Sequence, residues 1–425
     1  MSSLLIKNVN IIDPNSDFNN SKKDILLKNG LIVKIEDNIE VNNLDTVQEE
    51  NLHVCPGLFD FSVDFPDPGN EQKETLESGL FSSKSGGFTG VGLQPTYKPA
   101  RDKKSEILFC KNTTKDFGID VVPFGAISKE LKGEQLAEMF DMYNAGALAF
   151  SDNMQPVHNS GLFSRALLYA KNFNGLIISF PYEEKISPNG LINEGVVSTK
   201  LGLEGIPDLS EELMVNRDIL INKYQKGRLH FNILSSKKSL KQIEVAKKTQ
   251  NNLSCGTSIF HLLFDDEIID QFDNRFKILP PFRTKEDRNA LLEGVKNGTI
   301  DVITSYHQPN EKEITNVEFS LSPFGTIGTQ VCFPLALTYL KEYIGLEKIV
   351  QCMSINPRTI LQYEVPIIKE GYEANMTLFD PDKKWIYDKK NNTSMSENTG
   401  LFGSELNGFV HGTIHKSNYH KNLLK

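Results

Sequence analysis

Basic excess, membrane-length apolar runs and paired cysteines are all missing from this sequence. Lysine and arginine number 46 against 55 acidic residues, for a net charge of −9, and no basic tract offsets it. That balance argues against nucleic acid or an anionic membrane surface as the main partner. No uncharged apolar run approaches the roughly 20 residues that a membrane span needs. The opening stretch, MSSLLIKNVNII, is too short and too polar for a signal peptide. We therefore expect a cytoplasmic protein with neither nucleic acid nor membrane as partner. The five cysteines, Cys55, Cys110, Cys255, Cys332 and Cys352, include no C-x-x-C pair. An odd, dispersed set predicts reduced thiols in the core.

What is present is ordinary for a globular chain, with 39% hydrophobic and 24% charged residues. Its 425 residues suffice for one large domain and a smaller one. The first 55 residues read as short strands. LLIKNVNIID stops at Pro14-Asn15, and DILLKNGLIVKIED carries Asn29-Gly30 between alternating apolar residues, the strongest short-range hairpin signal. The C-terminal stretch has the same texture in EANMTLFDP, KKWIYD and ELNGFVHGTIHKS. Strand-rich ends around a long middle predict one β-sandwich domain built from residues 1–55 and 362–425.

The middle, residues 56–361, alternates differently. VGLQPT, IDVVPFGA, AGALAFSD, LIISFP, RLHFNIL and IDVITSY are short apolar runs suited to buried parallel strands. Helical segments such as SEELMVNRDILINKYQ, with Ser210 as N-cap and Glu211 and Glu212 in the first turn, lie between them. About 300 residues of strand–helix units predict an α/β fold, a (β/α)8 barrel, whose chemistry sits at the C-terminal ends of the strands. The glycine pair Gly86-Gly87 reads as a helix-to-strand turn, because it lacks phosphate-loop spacing. The GIPDL segment and the acidic helix after it read as a solvated face of the barrel.

One segment, CPGLFDFSVDFPDPGNEQKETLESGLFSSKSGGFTGVGLQPTYKP, carries a family resemblance. It is similar to the dihydroorotases of the amidohydrolase superfamily, which read PGLxDxHxHxREPG, then KET, then GGFTxxxxMPNTxP. Pro56-Gly57-Leu58, Asp60, Pro68-Gly69, Lys73-Glu74-Thr75, Gly86-Gly87-Phe88-Thr89, Pro95 and Pro99 keep that register. AFSD at 149–152, GIP at 205–207, Arg217-Asp218, residues 279–304, PFGTIG at 323–328 and Asn356-Pro357 extend it along the whole chain. The resemblance implies an amidohydrolase-type barrel with a composite β domain, a zinc cofactor, a homodimer, and interconversion of carbamoyl aspartate and dihydroorotate in pyrimidine biosynthesis.

The residues that the resemblance assigns to chemistry are altered. Ser62 and Asp64 stand at the His-x-His pair, and Asn153 follows Asp152 at the bridging carboxylate. Pro181, Ile233 and Tyr306 stand where the family has its third and fourth histidines and its aspartate. At the substrate positions Pro66 replaces an arginine, Thr96 and Leu279 replace asparagines, and His307 is kept. Proline and isoleucine side chains carry no ligand atom for zinc. Without a metal, the shift of bound water from pKa 15.7 to about 7 is forfeited, up to ~12 kcal/mol in hydroxide formation. The expectation is a chain without a metal cofactor, serving as a non-catalytic subunit or scaffold. The family context suggests aspartate carbamoyltransferase as the partner. The alternative is an active hydrolase using Asp64, Asp152 and His307 around one loosely held metal. The remaining histidines, His230 and His261, read as structural, and Asp60 reads as a support for the strand end.

Overall fold

The computed structural model describes residues 3–41, 44–315 and 317–422. Among them, eight parallel strands close a barrel: Leu58–Val63, Phe88–Leu93, Asp120–Pro123, Ala149–Phe150, Leu176–Ser179, Arg228–Phe231, Leu253–Ser258 and Val302–Thr304. Ladders tie the first three together and the last five together. Parallel bridges from Gly125 to Phe150 and from Val63 to His307 join the two groups into a ring. Phe59, Phe61, Phe124, Leu176, Ile178 and Val302 pack with one another as one layer of core. Helices on the outside bury the other strand faces, so most of these strands read as continuous apolar runs. Leu253–Ser258 is the exception: LSCGTS is too polar to be noticed as a strand, and Ser254 and Thr257 hydrogen-bond to His230 Nδ1 and to the Leu234 carbonyl.

The expected helix ends are mostly found. Helix Leu76–Ser85 starts at a capping box in which Thr75 and Ser78 bond each other's backbone N–H at 3.1 Å, and it stops at Gly86, with Gly87 at φ 95° turning the chain into the second barrel strand. Helix Leu209–Gln225 departs from expectation. Asp208, not Ser210, occupies its cap position, and the Ser210 hydroxyl is buried without a hydrogen-bond partner among the described residues.

Strands from both ends of the chain join in one hydrogen-bonded sheet. Asn375–Tyr387 pairs antiparallel with His53–Pro56, next to the first barrel strand. Asn29 (φ 50°) and Gly30 (φ 78°) form the tight turn between Lys22–Lys28 and Leu31–Glu36. Positive φ at both positions is what an Asn-Gly hairpin turn supplies. Ile6, Val9, Ile25, Leu27, Val54 and Met376 belong to this sheet's own core. The sheet holds the N-terminal end of the barrel: Thr377 Oγ1 accepts from Leu58 N at 3.2 Å and donates to the Gly87 carbonyl at 2.7 Å. Arg358, fully buried, donates to the Gly57 carbonyl at 2.5 Å and to Thr89 Oγ1 at 3.1 Å. All five cysteines are buried and unpaired.

Candidate functional site

The first barrel strand aims Asp60 and Ser62 at its C-terminal end, and Asp64 follows just beyond. Asp60 is completely buried and accepts from Thr304 Oγ1 (2.6 Å), Ser305 N (3.0 Å) and Thr329 Oγ1 (3.1 Å). It is a brace between the first and last strands. Ser62 Oγ accepts from two amides, Gln94 Nε2 at 2.9 Å and Asn232 Nδ2 at 3.1 Å. The amide oxygens of both, Gln94 Oε1 and Asn232 Oδ1, are buried with no hydrogen-bond partner among the described residues. The centre of the barrel mouth is thus a neutral group of hydroxyl and amides with spare acceptors.

The two carboxylates flanking this centre are engaged separately. Asp64 accepts from Thr96 Oγ1, and its backbone N–H donates to the His307 carbonyl at 3.0 Å. Burial pushes its carboxyl from 3.8 up to about 6, against the pull of Thr96 and Lys73. Asp152 accepts from Ile127 N (2.8 Å), Ser128 N (3.0 Å) and Ser128 Oγ (2.5 Å), and burial raises it likewise to about 6. Each is thereby tied to its own loop. Among the described residues, no group of three or more His, Cys, Asp or Glu side chains is arranged to hold a metal ion. Asn153 is buried at φ 51°, and its side-chain oxygen meets no hydrogen-bond partner among the described residues.

Across the mouth, Ile233, Leu279 and Tyr306 pack with Phe180, Tyr182 and Ile206 in one apolar cluster. Pro181 is buried between Phe180 and Tyr182 in the chain. Ile233 is wholly inaccessible and Leu279 is 8% exposed. The Tyr306 hydroxyl reaches no hydrogen-bond partner among the described residues, and burial, with the charge of Asp64, pushes its ionisation well above the ordinary phenol value. Tyr306 also sits at φ 50°, a backbone conformation that costs a bulky residue on the order of 1–3 kcal/mol.

His307 is fully buried. Its Nδ1 accepts from Gly328 N (3.2 Å) and Thr329 N (3.4 Å), which leaves the proton on Nε2, 3.5 Å from Glu74 Oε2. Phe65 packs edge-on against the ring at 5.5 Å, and neighbouring Pro66 is buried. Glu74 would be raised by its burial, but His307, Ser394 and Ser78 more than offset that and hold it below the usual value. His230 bonds Ser254 Oγ at 2.8 Å against the Phe61 ring, and burial lowers it to about 3. His261 lies between Ser258 Oγ (2.7 Å) and the Pro280 carbonyl (3.0 Å), lowered by burial to about 4. Both are neutral structural histidines.

A sequence profile described as "Dihydro-orotase-like" matches residues 52–239. The dihydroorotase of Acetivibrio thermocellus is 37% identical over 418 residues, covering 98% of either chain. That of Aquifex aeolicus is 36% identical over 97% of this chain and 98% of its own. The chain belongs to the dihydroorotase family. In fold it is also similar to the L-hydantoinase (dihydropyrimidinase) of Arthrobacter aurescens, with a TM-score of 0.85 at 20% identity over 100% of this chain and 98% of that one. A D-hydantoinase superposes with a TM-score of 0.83 at 17% identity, over 100% and 96% of the two chains. These place the chain in the amidohydrolase barrel fold with its β-rich domain.

Several family motifs turn out to hold the scaffold. In Lys73-Glu74-Thr75, Thr75 caps a helix, while Glu74, wholly buried, accepts from Ser78 Oγ, Ser394 Oγ and Met395 N and so fastens the C-terminal segment to the mouth. In Arg217-Asp218, the guanidinium grips the adjacent carboxylate at 2.7 Å, and Ser179 Oγ donates to the other oxygen at 2.6 Å. The acidic helix is not simply a solvated face. Glu211 is 1% exposed, accepts from Ser235 N and Ser236 N, and lies in the field of buried Arg283, which donates to the Ile206 carbonyl at 2.5 Å and to Asn193 Oδ1 at 3.0 Å. Sequence reading missed Gln94 and Asn232, and took Glu211 only for a first-turn residue on a solvated face, because no periodicity marks a residue whose partners come from other elements.

Proposed function

We infer that this member of the dihydroorotase family has a repacked barrel mouth and acts as a non-catalytic subunit in pyrimidine biosynthesis. One observation carries the reading. Ile233, Leu279 and Tyr306, at positions where the resemblance puts metal and substrate groups, belong to a buried apolar cluster. The zinc expected of the family does not fit these residues. Ser62 Oγ already accepts from two amide N–H groups, and Pro181 and Ile233 offer no donor atom. Ring opening of a cyclic amide at neutral pH requires an activated hydroxide, and no described side chain here replaces it. His307 is committed to two backbone N–H groups, and Tyr306 ionises only far above neutrality. A chain retained on these terms serves by assembly, and aspartate carbamoyltransferase is the partner we propose for it.

A second reading is that the chain is an active dihydroorotase with an altered site. It is favoured by relatives named dihydroorotase that match at 37% identity over nearly the whole chain, and by two carboxylates at the mouth, part-buried Asp64 and buried Asp152, raised to about 6. Elemental analysis combined with a dihydroorotate turnover assay on the same preparation separates the two. Substoichiometric metal and no turnover support the first. Stoichiometric zinc with a rate abolished by Asp152→Ala overturns it in favour of the second. Native-extract pull-downs that consistently lack the transferase count against that partner.

A further inference from the structure

Between the last barrel strand and helix Cys332–Tyr339 the chain passes over the barrel mouth. The two ends of this passage are pinned. Asn398 Nδ2 donates to the Gln308 carbonyl at 2.9 Å and to the Gly325 carbonyl at 3.1 Å, and Gln308 N donates to the Thr326 carbonyl at 2.8 Å. Residues 317–324, between those ends, are held differently. Glu318, Ser320 and Leu321 are exposed, Leu321 by 73%. The N–H groups of Leu321 and Ser322 both donate to the Glu318 carbonyl, so these bonds tie the stretch only to itself. Asn274 Nδ2 adds a bond to the Val317 carbonyl at 2.5 Å. Phe324 packs onto the apolar cluster of Ile233, Leu279 and Tyr306.

The main fastening comes from Lys277, two residues before Leu279 and 2% exposed. Its Nζ donates to the Ser322 carbonyl at 2.6 Å and to the Phe319 carbonyl at 2.7 Å, with the Ser320 carbonyl at 3.5 Å. The Phe324 and Phe319 rings lie 5.0 and 5.1 Å away, within cation–π range. Among the described residues no carboxylate is paired with it: Asp273, on its own segment, is taken by Arg275 at 2.7 Å, and Glu318 is exposed. A buried ammonium without a counter-ion is costly, and burial lowers its pKa to about 8. Lifting the stretch returns that charge to water, so the closed form is favoured by a small margin, as in segments that open below the global unfolding free energy. Gly325 supplies a pivot. Its φ of 132° is a conformation that side chains rarely adopt, and a Cβ there would meet the Gln308 carbonyl at 2.9 Å. We propose that residues 317–324 are a lid on the barrel mouth, which swings about Gly325 and for which the Lys277 ammonium is the catch. Opening lifts Phe324 off Ile233, Leu279 and Tyr306 and admits solvent to the mouth. The lid does not depend on whether the barrel turns over substrate.

Ser322 is the place for a reporter. It is 4% exposed, its hydroxyl has no hydrogen-bond partner among the described residues, and the five native cysteines are all buried. Ser322→Cys leaves the main-chain carbonyl that Lys277 grips, and the new thiol meets an aromatic disulfide reagent only when the lid is open. It is expected to react at least about a hundredfold faster than the native thiols, which wait for global unfolding, and well below the rate of a thiol on an exposed loop. Adding Lys277→Met is expected to speed it roughly tenfold or more, with the native thiols unchanged. In Ser322→Cys combined with Lys277→Ala, added propylammonium stands in for the missing amine and is expected to slow the reaction again, whereas propanol does not. A reporter that reacts only together with the native cysteines, or as fast as an exposed thiol, overturns the proposal. So does an unchanged rate with Lys277→Met, a double variant whose native thiols speed up equally, or indifference to propylammonium.

Discussion

If the barrel mouth is packed as core, shaving its apolar cluster destabilises the protein. Ile233 is inaccessible and Leu279 8% exposed, and both sit among Phe180, Tyr182, Ile206 and Tyr306. Truncating such a residue to alanine removes its transfer free energy and leaves a cavity, at a combined cost of about 2–5 kcal/mol. Unfolding entropy of roughly 2.1 cal/mol/K per residue, over 425 residues, comes to about 0.9 kcal/mol/K. A loss of ~3 kcal/mol therefore lowers Tm by about 3–4 °C. Differential scanning calorimetry of Ile233→Ala, Leu279→Ala and wild type, each with and without added zinc, measures it. An open, hydrated metal pocket behaves differently: changes at solvated positions stay within about ±0.5 kcal/mol, and zinc raises Tm by mass action. Two silent truncations, or a Tm that climbs with zinc in wild type, refute the packed-mouth reading. Ile233→His extends the test. Without metal it buries an imidazole in an apolar cluster, and added zinc is expected not to restore the lost stability, because the other ligand positions stay empty of donors.

Asp64 has a folded pKa of about 6, raised above its ordinary 3.8, so its ionisation at pH 7 opposes folding; Asp64→Asn is expected to be more stable than wild type at pH 7, by about 1–3 kcal/mol, and the gain should vanish near pH 4 in melts across that range. His261 shows the opposite sign: its folded value, about 4, lies below the ordinary 6.5, so the stability it contributes is complete above pH 6.5 and is lost as pH falls, by up to ~1.4 kcal/mol per unit. His261→Gln should flatten the acid limb of a Tm-against-pH curve, and an unchanged slope would show an ordinary histidine. Arg283→Met strands buried Glu211 and is expected to cost about 3–5 kcal/mol in urea unfolding. Arg358→Met removes the hydrogen bonds to the Gly57 carbonyl and Thr89 at the barrel floor; a cost of about 2–3 kcal/mol is expected, and a loss under 0.5 kcal/mol would mean that Arg358 does not hold the floor.

The barrel was readable because its strands are covered on both sides. A run such as LIISFP announces burial with no knowledge of its neighbours, and the Asn29-Gly30 turn is specified by the positive φ that only a few residues accept. Leu253–Ser258 escaped because its polar side chains are satisfied by His230 and the Leu234 carbonyl, partners 23 and 24 residues away in the chain. Ser210 departs for a related reason: a serine before acidic residues looks like a cap, but the cap is Asp208, two residues earlier, and the Ser210 hydroxyl is turned inward. The altered site positions were visible as substitutions within a family motif. That Ile233, Leu279 and Tyr306 join one apolar cluster was not, since they follow different strands.

Local chemistry along the chain therefore sufficed for the strand and helix periods, the hairpin turn, the helix caps and the family register, because each depends on residues within a few positions. Three-dimensional closure of the barrel was needed for the rest. It brings Ser62 under the amides of Gln94 and Asn232, ties Asp64 and Asp152 to separate loops, and seals the mouth with Ile233, Leu279 and Tyr306. Those outcomes hang on which strand ends meet across the ring, and burial sets their energies only after that meeting.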